Sequence, residues 1–294
     1  MDGNLRTVLI SIFEVFGLVG VAYLYARRVR FDAQAATRIG MDLLVPCLTF
    51  AALLDSRITM DELPVIGAAT AIQVALGLLI GWAGLRLLGW QWRRELLLPI
   101  AFLNSANIFY PLLLANYGVD GLSRGLLINT TVNVLLFSVG IALLHGGGRA
   151  RDALRQPALW VTLLAVVLRL LRIQPPELVM RIPRLAGTAA VPLMLILFGH
   201  ALAGARLRSL RAALVGTLLR YVSGAAALAV ILILLDPQGL LRKVLVLYTL
   251  LPSAMINVLL TQRAGRDAEA VASTVVLTTL VGLGLLPVLL LLVG

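Results

Sequence analysis

Leu103–Gly121 reads LNSANIFYPLLLANYGVDG, an apolar stretch of membrane-spanning length with Asn104, Ser105, Asn107 and Pro111 in its middle. In a bilayer every main-chain N–H and C=O must find a partner inside the protein, so polar side chains beside a proline belong in a cavity rather than against lipid. Proline removes a hydrogen bond from the helix ladder and collides with the preceding turn. A broken helix with freed main-chain groups and three short polar side chains makes a plausible ligand site at mid-membrane. The alternative is a kinked packing helix whose polar residues bond its neighbours.

A second stretch repeats the plan. Leu250–Ala268 reads LLPSAMINVLLTQRAGRDA, where Pro252, Ser253 and Asn257 interrupt an apolar run that ends in a polar turn. Setting Gly118 on Gly265 also sets Asp120 on Asp267 and Ser105 on Pro252. Paired, interrupted hydrophobic segments at corresponding places in two halves of a chain point to a transporter's substrate site.

Composition agrees with a membrane setting. Of 294 residues, 60% are hydrophobic and 13% charged, more apolar surface than a soluble domain of this length needs. The formal charge of +11 comes from arginines clustered between apolar runs, with Lys243 the only lysine. No basic stripe with interleaved aromatics occurs, so nucleic acid is not an expected partner. The lone cysteine, Cys47, excludes a disulfide framework and a cysteine metal cluster. The N-terminus lacks a basic lead and a small-residue cleavage site, and reads as the start of helix 1.

Apolar runs bounded by charges, Gly and Pro predict ten spans: Val8–Tyr25, Ile39–Leu54, Val65–Leu87, Leu96–Tyr117, Leu126–Leu144, Ala158–Leu171, Thr188–Ala203, Ala212–Leu235, Leu241–Gln262 and Ala270–Val293. Fifteen basic residues follow odd-numbered spans and nine lie on the other side, four of these in the loop after span 6. Positive-inside orientation then places both termini outside. Five spans per half is an odd number, so the second half is inverted relative to the first. The halves, 1–145 and 158–294, are joined by a Gly/Arg-rich cytoplasmic linker, 146–157. Further echoes are Pro46 in LLVPCLTF against Pro192 in AAVPLMLILF, and the one-turn pairs Asn129/Asn133 and Thr274/Thr278. An inverted repeat favours an alternating-access carrier.

The segments NSANIFYP (Asn104–Pro111) with YGVDG behind it, LPSAMIN (Leu251–Asn257), AVPLMLILFGHALA (Ala190–Ala203), STVVLTTLVGLGLLP (Ser273–Pro287) and LLVPCLTF resemble the auxin efflux carrier family, in the right order and over most of the chain. That resemblance implies an all-α integral membrane protein of ten transmembrane helices in two inverted five-helix repeats, with helices 4 and 9 broken and crossing at mid-membrane. It implies an elevator-type secondary transporter, with helices 1, 2, 6 and 7 as a scaffold that forms a homodimer contact, and helices 3–5 and 8–10 as the transport core. Carried over by motif, Asn104, Ser105, Asn107, Tyr110, Pro111, Pro252, Ser253 and Asn257 are the expected substrate-binding residues, holding a carboxylate at the crossing. Half-helix N-termini suit an anion, and neither Asn104–Pro111 nor Leu251–Asn257 contains arginine or lysine. Where family members have small residues before the first crossover proline, this chain has Phe109 and Tyr110, which either narrow the pocket or wall an apolar substrate body.

Three ionisable residues are candidates for coupling. Glu14 and Asp42 lie at membrane depth or near an interface, where proton carriage competes with ion pairing to Arg27 or Arg220. His200 could titrate near neutral pH or be purely structural. Arg220 reads equally as a snorkelling side chain or a ligand. His145 and the tryptophans Trp82, Trp90, Trp92 and Trp160 read as interfacial. No metal and no cofactor are expected. Coupling to H⁺ or Na⁺ stays open, although the absence of a carboxylate from Asn104–Pro111 and Leu251–Asn257 tilts away from Na⁺. The expected function is export of an organic anion or amphipathic carboxylate across the bacterial inner membrane. The alternatives are a sodium-coupled bile-acid-type symporter, an integral-membrane enzyme, for which no metal or nucleophile motif appears, and a channel or sensor.

Overall fold

The computed structural model describes residues 2–29, 32–145 and 154–293, so most of the expected linker, 146–157, lies outside the described residues. Among these residues the fold is all-α, with no strand. The helices are α1 (Asp2–Arg28), α2 (Ala33–Ile39), α3 (Val45–Asp55), α4 (Glu62–Leu87), α5 (Leu97–Ala101), α6 (Phe109–Leu135) and α7 (Ile141–His145). After the linker come α8 (Pro157–Leu170), α9 (Glu177–Thr188), α10 (Ala190–Gly204), α11 (Leu210–Leu234), α12 (Gly239–Thr249), α13 (Ile256–Arg263) and α14 (Ala268–Val293). Among the described residues, seven helical runs are long and apolar enough to cross a membrane. Continuous length misses α8, α12 and the segments that are broken, because a broken helix presents no single apolar run.

Local chemistry explains where the helices bend. Asp32 caps α2, its carboxylate accepting from the amides of Gln34 at 2.8 Å and Ala35 at 3.3 Å. The turn Gly40–Leu44 widens to π geometry just before Pro46, which cannot donate to the ladder. Gly118, at φ 61° and ψ −156°, sits in a region essentially closed to other residues and folds α6 sharply after Tyr117. Gly265, at φ 66°, makes the corresponding turn between α13 and α14.

The stretch after span 6 differs from expectation. Read as a basic loop, it forms α9, an amphipathic helix with Pro183 inside. Leu178, Ile182 and Leu185 are more than 70% exposed on it, while Met180 and Gly187 are buried. Its arginines and proline interrupt the apolar run on which the span assignment depended. Arg181 and Arg184, two of the nine basic residues credited to the outer side, lie in this helix and not in a loop.

The chain divides into two compact units. The first holds 1–63, 106–130 and 151–204. Its helices approach closely at glycines: a Cβ on Gly199 would lie 2.5 Å from the Val19 carbonyl, and one on Gly187 2.8 Å from Leu48 Cα. Tyr110 is buried with Val45, Leu48, Leu126, Ala190 and Met194. Arg169 of α8 donates to the carbonyls of Leu53 at 2.6 Å and Ser56 at 2.8 Å and to that of Ile58, closing the C-terminal end of α3. Arg124 pairs with Glu62, its Nε 2.6 Å from the carboxylate.

The second unit holds 64–105, 131–150 and 205–294. Here α11 runs along α14, with Gly216 against Thr274, and an apolar core gathers Leu85, Leu96, Leu97, Ala212, Val271 and Val275.

Candidate functional site

The two stretches singled out in the sequence are both interrupted helices, and they meet within the second unit. Helix α5 ends at Ala101, and the chain is non-helical until Phe109. Helix α12 ends at Thr249, and helical geometry resumes at Ile256. The gaps pair antiparallel at Leu103 and Ser253. The Asn104 amide donates to the Pro252 carbonyl at 2.9 Å, and the Ala254 amide donates to the Phe102 carbonyl at 3.1 Å.

A helix end leaves main-chain carbonyls without partners, and at membrane depth no solvent can supply them. At the end of α5 the other segment does so. The Ser253 hydroxyl donates to the Pro99 carbonyl, and Asn257 Nδ2 donates to the Phe102 carbonyl at 2.9 Å. The Ser253 amide in turn donates to Thr278 Oγ1 on α14 at 3.2 Å. At the end of α12 an arginine does the work. Arg220 Nη2 donates to the carbonyls of Thr249 at 2.6 Å and Leu251 at 2.8 Å, and Nε reaches Leu251 at 3.1 Å. Arg220 is 0% exposed, so it does not snorkel. Its Nη1 has no hydrogen-bond partner and lies over Gly224, where an added Cβ would be 2.6 Å from it and 2.4 Å from the Thr249 carbonyl.

The expected site residues divide between the units. Asn104, Ser105, Pro252, Ser253 and Asn257 come together in the second, all buried. Asn257 Oδ1 is buried without a donor, its orientation fixed by the Nδ2 bond. Asn107, Tyr110 and Pro111 fall in the first unit, where Asn107 is half-buried and Tyr110 is in the core. Pro111 does not form the break. It is the third residue of α6, in the first turn, where a missing N–H costs nothing. The candidate coupling residues also belong to the first unit: Glu14 and Asp42 are exposed, and His200 is half-buried.

The site also contains residues that motif reading passed over. Arg220 is one, because its partners are main-chain carbonyls on another helix. Gln73 of α4 is the other. It is 0% exposed with neither amide atom partnered, and it shares a face of α4 with Thr70 and Gly77. Thr70 sits beside the Tyr248 hydroxyl, and a Cβ on Gly77 would lie 2.7 Å from Ala101 Cα. That face of α4 therefore runs beside the last helical turns of both α5 and α12. The register that sets Gly118 on Gly265 also sets Thr70 on Thr217, Gln73 on Arg220 and Gly77 on Gly224. This second signal was present in the sequence.

Known proteins offer matching comparisons. The profile of a family described as membrane transport protein matches residues 7–154 and 149–290. An uncharacterized transporter of Methanothermobacter thermautotrophicus is 29% identical over 267 residues, covering 87% of both chains. An uncharacterized transporter of Methanocaldococcus jannaschii is 22% identical over 186 residues, 60% of each chain.

Proposed function

The chain belongs to the membrane transport protein family, that of the auxin efflux carriers, and is a multi-pass membrane protein; from that premise we propose a secondary active transporter that exports an organic anion or amphipathic carboxylate. The single observation that carries this reading is the crossing of two broken helices, with buried Asn104, Ser105, Ser253 and Asn257 around a pair of main-chain hydrogen bonds. Neutral polar side chains can surround a carboxylate, while an enzyme would need a general base to activate a nucleophile, which this cluster lacks. The reading rests on these second-unit residues alone.

Two inverted five-helix repeats and an elevator mechanism complete the proposal. The repeat is supported by the matched turns at Gly118 and Gly265 and by the shared register of Thr70, Gln73 and Gly77 with Thr217, Arg220 and Gly224. The elevator draws support from the division of the chain, since α1–α3 and α8–α10 share one unit while α4, α5 and α11–α14 share the other; α6 departs from the expected split, its residues 109–130 falling in the first unit. Homodimerisation through the scaffold and a bacterial inner-membrane location with both termini outside belong to the same reading.

A sodium-coupled symporter is the second reading, favoured by one atom. Asn257 Oδ1 is a buried acceptor without a donor, as a cation ligand would be. Charge movement in proteoliposomes on solid-supported membranes separates the two. A panel of malate, malonate, phenylacetate and indole-3-acetate is applied with and without Na⁺ and with a pH step. Saturable currents that need no Na⁺ support the exporter, and currents seen only with Na⁺ support the symporter. Because electroneutral exchange gives no current, uptake of radiolabelled acid runs alongside, and absence of flux by both measures sinks the carrier of carboxylates.

A further inference from the structure

Neither Asn104–Pro111 nor Leu251–Asn257 carries a charged side chain, yet a full positive charge reaches the crossing from α11. Arg220 is completely buried in an apolar helix, and its hydrogen bonds go to the carbonyls of Thr249 and Leu251. Among the described residues no carboxylate pairs with it. Burying a cation without an acid is expensive, and a neutral donor would satisfy two carbonyls at less cost. Leu251 is two residues from Ser253, so the guanidinium lies within about 10 Å of the crossing by chain length alone. At that range in a weakly screened interior a unit charge shifts the affinity for an anion by about tenfold or more.

The repeat supplies an internal control. Gln73 occupies the same register position in the first half, is equally buried, and is neutral. Both residues have a glycine one turn further on that lets the helix press against the end of its own half's broken segment, Gly77 on Ala101 and Gly224 on Thr249. Capping the end of a broken helix does not by itself demand a cation, because α5 is capped by Ser253 and Asn257. The charge at one of two equivalent positions is thus in excess of what the architecture requires. It also opposes a metal cation at the same place, which bears on the unpartnered Asn257 Oδ1.

We propose that Arg220 is the charge-selecting residue of the crossover, a fixed cation behind the neutral cradle that makes the site prefer carboxylates over uncharged molecules of the same shape. This inference rests on the carrier reading and assigns the substrate class of that site. It gives Arg220 a specificity role through its field, distinct from the contacts of Asn104 and Asn257.

The test measures binding to purified, detergent-solubilised protein by thermal shift and calorimetry. Probes are malate, malonate, phenylacetate and indole-3-acetate, each beside its primary amide. Wild type is expected to bind at least one acid about tenfold or more tightly than its amide. Arg220→Gln is expected to remove most of that preference by weakening the acid alone, and Arg220→Lys, which keeps the charge, to restore it. An Arg220→Gln protein with the wild-type ratio overturns the inference, as does an equal loss of acid and amide, which marks a purely structural clamp. Should Arg220→Gln fail to fold, Arg220→Lys decides, with a preserved ratio in support and a collapsed ratio against. Asn257→Ala separates this from the carrier reading. Undiminished acid binding there sinks the crossover site, and a wild type that binds none of the acids sinks its carboxylate class. Unchanged acid binding in Arg220→Gln sinks only the role of the charge.

Discussion

At the scale of single residues the site is a set of side chains that finish other residues' hydrogen bonds. Asn257 spends its amide on the Phe102 carbonyl, which the Ala254 amide also serves, so its removal leaves that carbonyl bonded. Asn257→Ala is expected to cost about 1 kcal/mol of stability and to leave yield intact while substrate affinity falls at least tenfold. Asn104→Ala is expected to do the same, since its main-chain bond to Pro252 survives. Flux assays beside melting curves check both, and unchanged transport in the pair would remove the crossing from the mechanism. The asparagines and serines were legible because short polar side chains beside proline are rare in apolar runs. Arg220 was legible only as an ambiguity, since a basic residue near a helix end usually snorkels and main-chain acceptors leave no trace in sequence. Pro111 misled for a related reason: proline marks either a break or a helix start, and position alone does not say which.

Among the helices, glycines mark the contacts that cannot widen. On α4, Gly77 has Ala101 Cα within reach of an added Cβ, while Gly67 has nothing within 4 Å. Gly77→Ala is therefore expected to destabilise by about 1–3 kcal/mol and to impair transport, and Gly67→Ala to be neutral in both. Comparable melting temperatures for the two would show that α4 does not brace the end of α5. Gly118 tests a different property, conformation without crowding: nothing lies within 4 Å of its missing Cβ, so the cost of Gly118→Ala, about 1–3 kcal/mol, is backbone strain alone. A melting curve matching wild type would count against that. The broken helices and the paired turns were readable from the chain because Gly, Pro and Asp punctuate them. Helix α9 was not, since Arg181, Arg184 and Pro183 disguise an amphipathic helix as a loop.

For the molecule as a whole, the proposed inverted repeat makes a topological demand. Five spans in each half would put both ends of the chain on the outer side. In a Cys47→Ser background, single cysteines at Gly3 and Gly294 are expected to react with an impermeant maleimide in intact cells. A C-terminal cysteine that labels only after lysis breaks the repeat. The two compact units could not be foreseen from hydropathy, because the division falls between Ser105 and Ala106 and again inside α6. The crossing itself is made largely of peptide groups. Substitution by any residue but proline can delete a side chain but not a main-chain amide or carbonyl, so the bonds from Asn104 to Pro252 and from Ala254 to Phe102 would persist. Such a cradle tolerates mutational drift. The bonds that pin the two broken helices together outlast changes in the side chains around them, so the walls of the site can be rewritten without unpinning the crossing.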